Sequence, residues 1–169
     1  MSSITGGCLC GSIRFEISLK KAGQWPPTSE SCQCTMCRKW SGALLYQYLY
    51  LSPEQLSPPL SAFATYREYG STPGRYRGFC RECGSSLIWR SDRETECLKV
   101  DLLLGTIDEK WLIGTGEAGE KKGGLGKILC KPSGAQHWVV NAIPGVTDHL
   151  QTGTMYLCGK EGPVVEPSK

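Results

Sequence analysis

Seven of the ten cysteines in this chain fall into three tight clusters. Cys8 and Cys10 form a CxC pair, Cys32, Cys34 and Cys37 a CxCxxC triplet, and Cys80 and Cys83 a CxxC pair. Thiols at such spacing either bridge into a disulfide framework or chelate a metal. The opening Met1-Ser2-Ser3-Ile4-Thr5 has neither the basic nor the apolar segment of a secretory signal. No apolar run nears the roughly 18 residues of a membrane span. The expectation is a soluble, cytoplasmic chain whose thiols stay reduced, which favours metal over disulfides. Seven ligands divide into four plus three. Four thiolates close a tetrahedral zinc site and make it structural, whereas three leave a position open for water or substrate.

At 169 residues the chain is long enough to bury one core, so residues 4–160 are expected to form a single domain, with 161–169 a disordered tail. Apolar residues alternate rather than recur at helical spacing. Ile13, Phe15 and Ile17 alternate with Ser12, Arg14 and Glu16 as a half-buried strand. Further strands are expected over 43–51, 62–69, 85–90, 98–104 and 136–141, which together predict an all-β chain. Helix is confined to short turns: Thr35 to Trp40, and one capped by Thr106 with acids following. The Pro-rich segment 52–60 reads as a loop, and the Gly- and Lys-rich segment 114–126 as a solvated loop or a lid.

In a strand, residues two apart point the same way, so Cys8 and Cys10 are expected to aim at one ion. A glycine follows each pair, Gly11 after Cys10 and Gly84 after Cys83. A loop folding back on a metal needs that tolerance of positive φ. One ion shared by Cys8, Cys10, Cys80 and Cys83 would tie the first strand to the middle of the chain, with binding free energy on the order of 10 kcal/mol feeding into folding. Cys32, Cys34 and Cys37 have no obvious fourth protein ligand. His137 sits in a strand pattern and reads as a hydrogen-bonded core histidine, and His149 lies near a surface turn. Three thiolates blunt the Lewis acidity that water activation needs, so a zinc held there suits binding another thiolate. Arg38, with Lys39 beside it, is the candidate to offset that charge and hold a carboxylate of the incoming thiol. Cys97, Cys130 and Cys158 stand alone and read as ordinary thiols.

The segments G-G-C-L-C-G-S-I-R-F, C-Q-C-T-M-C-R-K-W-S-G-A and G-F-C-R-E-C-G-S-S-L-I-W, in that order, resemble the glutathione-dependent formaldehyde-activating enzyme family, which also includes centromere protein V. Leu104 to Glu109 is similar to a further family block, and Gln136-His137-Trp138 more loosely to another. The resemblance implies an Mss4-like, β-tent fold of two antiparallel sheets with zinc-binding knuckles. It implies one structural zinc on Cys8, Cys10, Cys80 and Cys83, and a second, catalytic zinc on Cys32, Cys34 and Cys37 that engages glutathione. The implied reaction adds glutathione sulfur reversibly to formaldehyde, giving S-hydroxymethylglutathione, which is carbon–sulfur lyase chemistry. The family usually carries histidine between the first two cysteines of the triplet. Here it is Gln33, which can orient a thiol but cannot shuttle a proton.

Two other readings compete with the lyase. A non-catalytic zinc module for nucleic acid or a protein partner is one, but the net charge is only +3 and the basic residues are scattered. A transient zinc or redox cluster is the other, since Cys34 and Cys37 form a CxxC. The leading expectation remains an enzyme acting on a small thiol adduct.

Overall fold

Alternating apolar and polar side chains need one dry face and one wetter one, and the chain meets this with two sheets. A computed structural model describes residues 3–19, 23–93, 99–114, 123–160 and 162–165. Strands β1 (Ile4–Gly7), β2 (Arg14–Ile17) and β5 (Leu56–Ser57) make a small sheet in the order β1-β2-β5. The larger sheet holds β3 (Ser29–Cys32), β4 (Tyr46–Leu51), β6 (Tyr66–Thr72), β7 (Arg75–Cys80), β8 (Ser86–Ser91), β9 (Val100–Leu103), β10 (Ala135–His137), β11 (Thr154–Tyr156) and β12 (Val164–Val165). Its order is β12-β11-β10-β3-β4-β9-β8-β7-β6. Pairing is antiparallel except at β10, which runs parallel to both β3 and β11. The helices are short: α1 (Thr35–Ser41), α2 (Glu109–Leu112) and α3 (Gly126–Leu129). No described helix is long and apolar enough to cross a membrane. The mostly-β architecture expected from the alternation, and the two sheets that the resemblance implies, are the ones adopted, with the parallel pairing of β10 as the departure from two purely antiparallel sheets.

Both sheets contribute to one apolar core. β2 buries Phe15 and Ile17 while Arg14 and Glu16 stay exposed. Leu49 and Leu51 from β4, Ile88 from β8, and Val100 and Leu102 from β9 meet them. Each such side chain contributes about 1.5–3 kcal/mol on burial. The other face of β4 is buried as well: Tyr46 and Tyr48 form a second cluster with Cys32 and Cys37. The larger sheet therefore separates an aliphatic core from an aromatic layer that surrounds the triplet.

Several local expectations shift. The strand expected from residue 62 begins at Tyr66, because Leu60–Ala62 makes a 3-10 turn. The strand expected over 136–141 stops at His137, where Trp138 takes φ 59 and ψ 42 and Val139–Asn141 coils into a 3-10 turn. The segment 52–60 contains a 3-10 turn at Pro53–Gln55 and the strand β5, which pairs with β2. Beyond Gly159, where no structure was expected, Val164–Val165 pairs with β11. Cys97, Leu98 and residues 115–122 lie outside the described residues.

Thr106 does not cap a helix; its hydroxyl donates to the Leu103 carbonyl at 2.6 Å. Asp108 holds the cap position of α2, yet its carboxylate turns elsewhere. It accepts from Arg14 Nη1 at 2.8 Å and from the Thr5 hydroxyl, which in turn accepts from the Trp111 indole at 2.9 Å. This knot ties both long strands of the small sheet to the Leu104–Glu109 segment. Arg14 beside it holds the Asp108 carboxyl below its ordinary range, against the opposing pull of burial. A depressed carboxyl stabilises the fold above the ordinary carboxylate range and loses that contribution as pH falls through its folded value. Asp108→Asn is expected to cost about 1 kcal/mol at pH 7, since the pair is partly solvated. Urea denaturation of both proteins should show the difference shrinking as the pH is taken below the ordinary carboxylate value of about 4.

Candidate metal centres

The first cysteine pair lies not on a strand but on the turn that β1 enters and β2 leaves. The second lies on the turn between β7 and β8, with Cys80 as the last residue of β7. The two turns are built alike. Cys8 N–H donates to Ile13 C=O at 3.1 Å, and Cys80 N–H to Ser85 C=O at 3.0 Å. Gly11 and Gly84 fold the chain back at φ 78 and 74, a region open to glycine at no steric cost, and each donates its N–H to the carbonyl of the first cysteine of its turn. The sulfurs of Cys8, Cys10, Cys80 and Cys83 lie within 4.8 Å of one another.

The spacing fits a tetrahedral ion. Sulfur at about 2.3 Å from zinc gives sulfur–sulfur edges of about 3.8 Å, and Cys8–Cys10 and Cys10–Cys80 measure 3.5 and 3.8 Å. Hydroxyls surround the cluster. Ser12 Oγ lies 3.2 Å from Cys10 Sγ and 3.4 Å from Cys80 Sγ, and Ser85 Oγ lies 3.2 Å from Cys83 Sγ. The Ser85 hydroxyl holds the Cys83 thiol well below its ordinary range, to about 5. Neither serine was singled out from the sequence, although the repeated Cys-Gly-Ser at the end of both motifs is the signal that marks them.

The triplet spans the end of β3 and the first turn of α1. Cys32 closes the strand, Cys34 caps the helix by accepting from Cys37 N–H at 3.3 Å, and Cys37 lies one turn in. Their three sulfurs also lie within 4.8 Å of one another. Hydrogen bonds from Cys32 and Cys37 hold the Cys34 thiol far below its ordinary range, while the bonds Cys32 makes to Cys34 and Cys37 push it up. Three thiols sharing protons this closely are the donor set of a soft divalent cation. Among the described residues no histidine or carboxylate joins either cluster. His137 is buried, 3.4 Å from Glu30 and stacked on Tyr156, and His149 is exposed. The described cysteines form no disulfide, and Cys130 and Cys158 stand apart from both clusters.

The guanidinium placed against the triplet belongs to Arg77 on β7. Arg77 is 4% exposed, its Nη1 is 4.0 Å from Cys37 Sγ, and its charge sits 5.0 Å from the centre of the Trp40 ring. Arg38 is half-buried on α1 and Lys39 exposed. Nothing local marks Arg77, since its approach to Cys37 is made by the sheet. Gln33, in the middle of the triplet, is fully engaged. Its amide donates to Thr147 C=O at 3.2 Å, its carbonyl accepts from the Thr147 hydroxyl at 2.6 Å, and Asn141 donates to its backbone. It fastens the triplet to the 143–148 turn and has no free end to offer a substrate.

A cleft of ≈ 650 Å³ opens beside the four-sulfur cluster, lined by Cys8, Leu9 and Ser85, by Arg14 from β2 and by Leu104 to Glu109, and it reaches Ser41 and Tyr46, whose ring packs in the triplet's cluster. The model of a known family, glutathione-dependent formaldehyde-activating enzyme, matches residues 3–118. The chain belongs to this family. The match takes in all seven clustered cysteines and the segment walling the cleft. A crystal structure of a Rhodobacter sphaeroides protein is similar at 19% identity, over 69% of this chain and 96% of that one, with a TM-score of 0.47. No curated protein matches significantly.

Zinc reconstitution followed by native mass spectrometry is expected to give two equivalents. Cys34→Ser should keep one and unfold at a temperature near wild type. Cys80→Ser should lose the other and with it cooperative unfolding, since a closed site contributes on the order of 10 kcal/mol. A single equivalent, indifferent to Cys34→Ser, would contradict the division.

Proposed function

We propose that this chain is a zinc-dependent carbon–sulfur lyase that forms or cleaves the adduct of glutathione, or a related thiol, with an aldehyde, S-hydroxymethylglutathione being the type. The observation that carries the reading is the contrast between the two clusters: four sulfurs that complete a tetrahedron, and three that do not. Membership of a formaldehyde-activating, glutathione-dependent family supports the same substrates. Zinc bound at the triplet would supply an electrophilic centre that favours a substrate sulfur in its thiolate form.

The residues of the chain perform the remaining work. Cys32, Cys34 and Cys37 hold the reaction centre at the boundary of β3 and α1, on backbone that Gln33 and Thr147 keep rigid. Arg77 offsets the negative charge of three thiolates from within the protein. Arg38 is a second candidate for the carboxylate of the incoming thiol. The cleft next to Tyr46 takes the body of the substrate. Holding thiol and carbonyl together supplies the larger part of the rate, because the uncatalysed addition is limited by encounter and orientation. Residues 4–160 act as one domain in this reading. A reducing compartment such as the cytoplasm suits it, since seven thiols must stay available to metal.

Adduct formation and cleavage, followed by nuclear magnetic resonance with glutathione and formaldehyde, should be faster than the uncatalysed exchange with wild-type protein. Cys34→Ser is expected to abolish the acceleration while the structural centre stays loaded. Equal rates for the two proteins would refute the lyase reading.

A further inference from the structure

Among the described residues, one buried side-chain oxygen has no hydrogen-bond partner: the hydroxyl of Tyr46. An unpaired buried hydroxyl is costly, and phenylalanine would fill the same volume without the penalty. The position of Tyr46 explains what the hydroxyl can address. Tyr46 is 2% exposed and pairs directly with Cys32 across β3 and β4. Its ring lies 5.7 Å from Trp40 and 5.0 Å from Tyr48, in the buried cluster that contains Cys32 and Cys37. The same residue borders the cleft, next to Ser41 and Leu103. Tyr46 thus belongs both to the lining of the cleft and to the buried cluster of the triplet, where the Arg77 guanidinium lies 4.0 Å from the Cys37 thiol.

A phenol carries its proton at neutral pH and can donate it in a hydrogen bond. A fixed donor in a dry site favours negative charge on an oxygen far more than water does, because it is already oriented when the charge develops. Thiol addition develops such a charge. A sulfur lone pair makes the C–S bond, the π pair of the C=O bond moves onto oxygen, and oxygen gains a proton to replace the one sulfur releases. Cleavage reverses each of these movements.

Building on the thiol–aldehyde reading, we infer that the Tyr46 hydroxyl is a catalytic group, donating a hydrogen bond to the oxygen of the adduct as the carbon–sulfur bond forms or breaks. The decisive comparison uses zinc-loaded wild type and Tyr46→Phe. In the variant, zinc content should be unchanged and the thermal midpoint equal or higher, because an orphan hydroxyl has been removed. The rate at saturating substrate should fall by about 10²–10³, the usual effect of deleting one oxyanion donor, with little change in KM. A readout independent of turnover is calorimetric binding of 2-mercaptoethanol against 1-propanethiol, which differ by an oxygen in place of a methyl carbon. Wild type should prefer the oxygen-bearing thiol several-fold, and the variant should lose that preference.

An unchanged rate, a preference retained by the variant, or a rate loss matched by loss of zinc from the triplet overturns the assignment. So does a wild type that favours 1-propanethiol, a result that needs no folded variant. A wild type that binds both thiols but accelerates no adduct exchange refutes the lyase reading instead, and the thiol preference still decides whether Tyr46 addresses an oxygen.

Discussion

The fold brings four sulfurs together from two turns that lie about seventy residues apart in the chain. Cys8 and Cys10 leave the small sheet and Cys80 and Cys83 the large one, so an ion held by all four would rivet the two sheets together. Neither turn has an apolar interior of its own. Their backbone hydrogen bonds, from Cys8 to Ile13 and from Cys80 to Ser85, shape each loop, but the convergence of sulfurs joins one loop to the other. A chain segment that long is entropically expensive to close, and a metal bound by all four sulfurs would act where that closure is needed. The Arg14–Asp108 pair and its Thr5 and Trp111 partners reinforce the same edge from the other side of the cleft.

The large sheet then does two separate jobs. One face supplies the aliphatic core against β2, and the other carries Tyr46, Tyr48, Trp40 and the triplet. β4 shows how one strand serves both. Leu49 and Leu51 face the core, and Tyr46 and Tyr48 face the sulfurs. The triplet is therefore mounted on a buried aromatic layer of the large sheet. Arg77 reaches that wall from β7, a strand whose end, Cys80, belongs to the other centre. The two centres are mechanically linked through a single six-residue strand.

Much of this was legible in the sequence, and the reasons for what was not are physical. The cysteine partition needed only spacing, and the strands β2, β8 and β9 needed only alternation. β3 escaped because Ser29, Glu30 and Ser31 are polar yet buried. Each meets a distant partner: Ser29 the Lys131 carbonyl, Glu30 His137, and Ser31 Gln136. No local pattern announces a partner a hundred residues away. β7 escaped for a similar reason, since Arg77 becomes a buried charge only once the sheet sets it against Trp40 and Cys37. Arg38 drew attention by sitting next to Cys37 in sequence, but a helix turns neighbouring side chains to different faces. The Cys-Gly-Ser repeat was visible, and only its serines went unread.

The parallel pairing of β10 with β3 imposes an order on biosynthesis. The four sulfurs and their hydroxyl partners draw on nothing beyond Ser85, so they can converge before β10 is synthesised. The triplet has all three of its cysteines by then, but the strand flanking Cys32 and the threonine that clasps Gln33 emerge only some hundred residues after them. Nascent chains therefore bring the four sulfurs together well before the surroundings of the triplet can be completed.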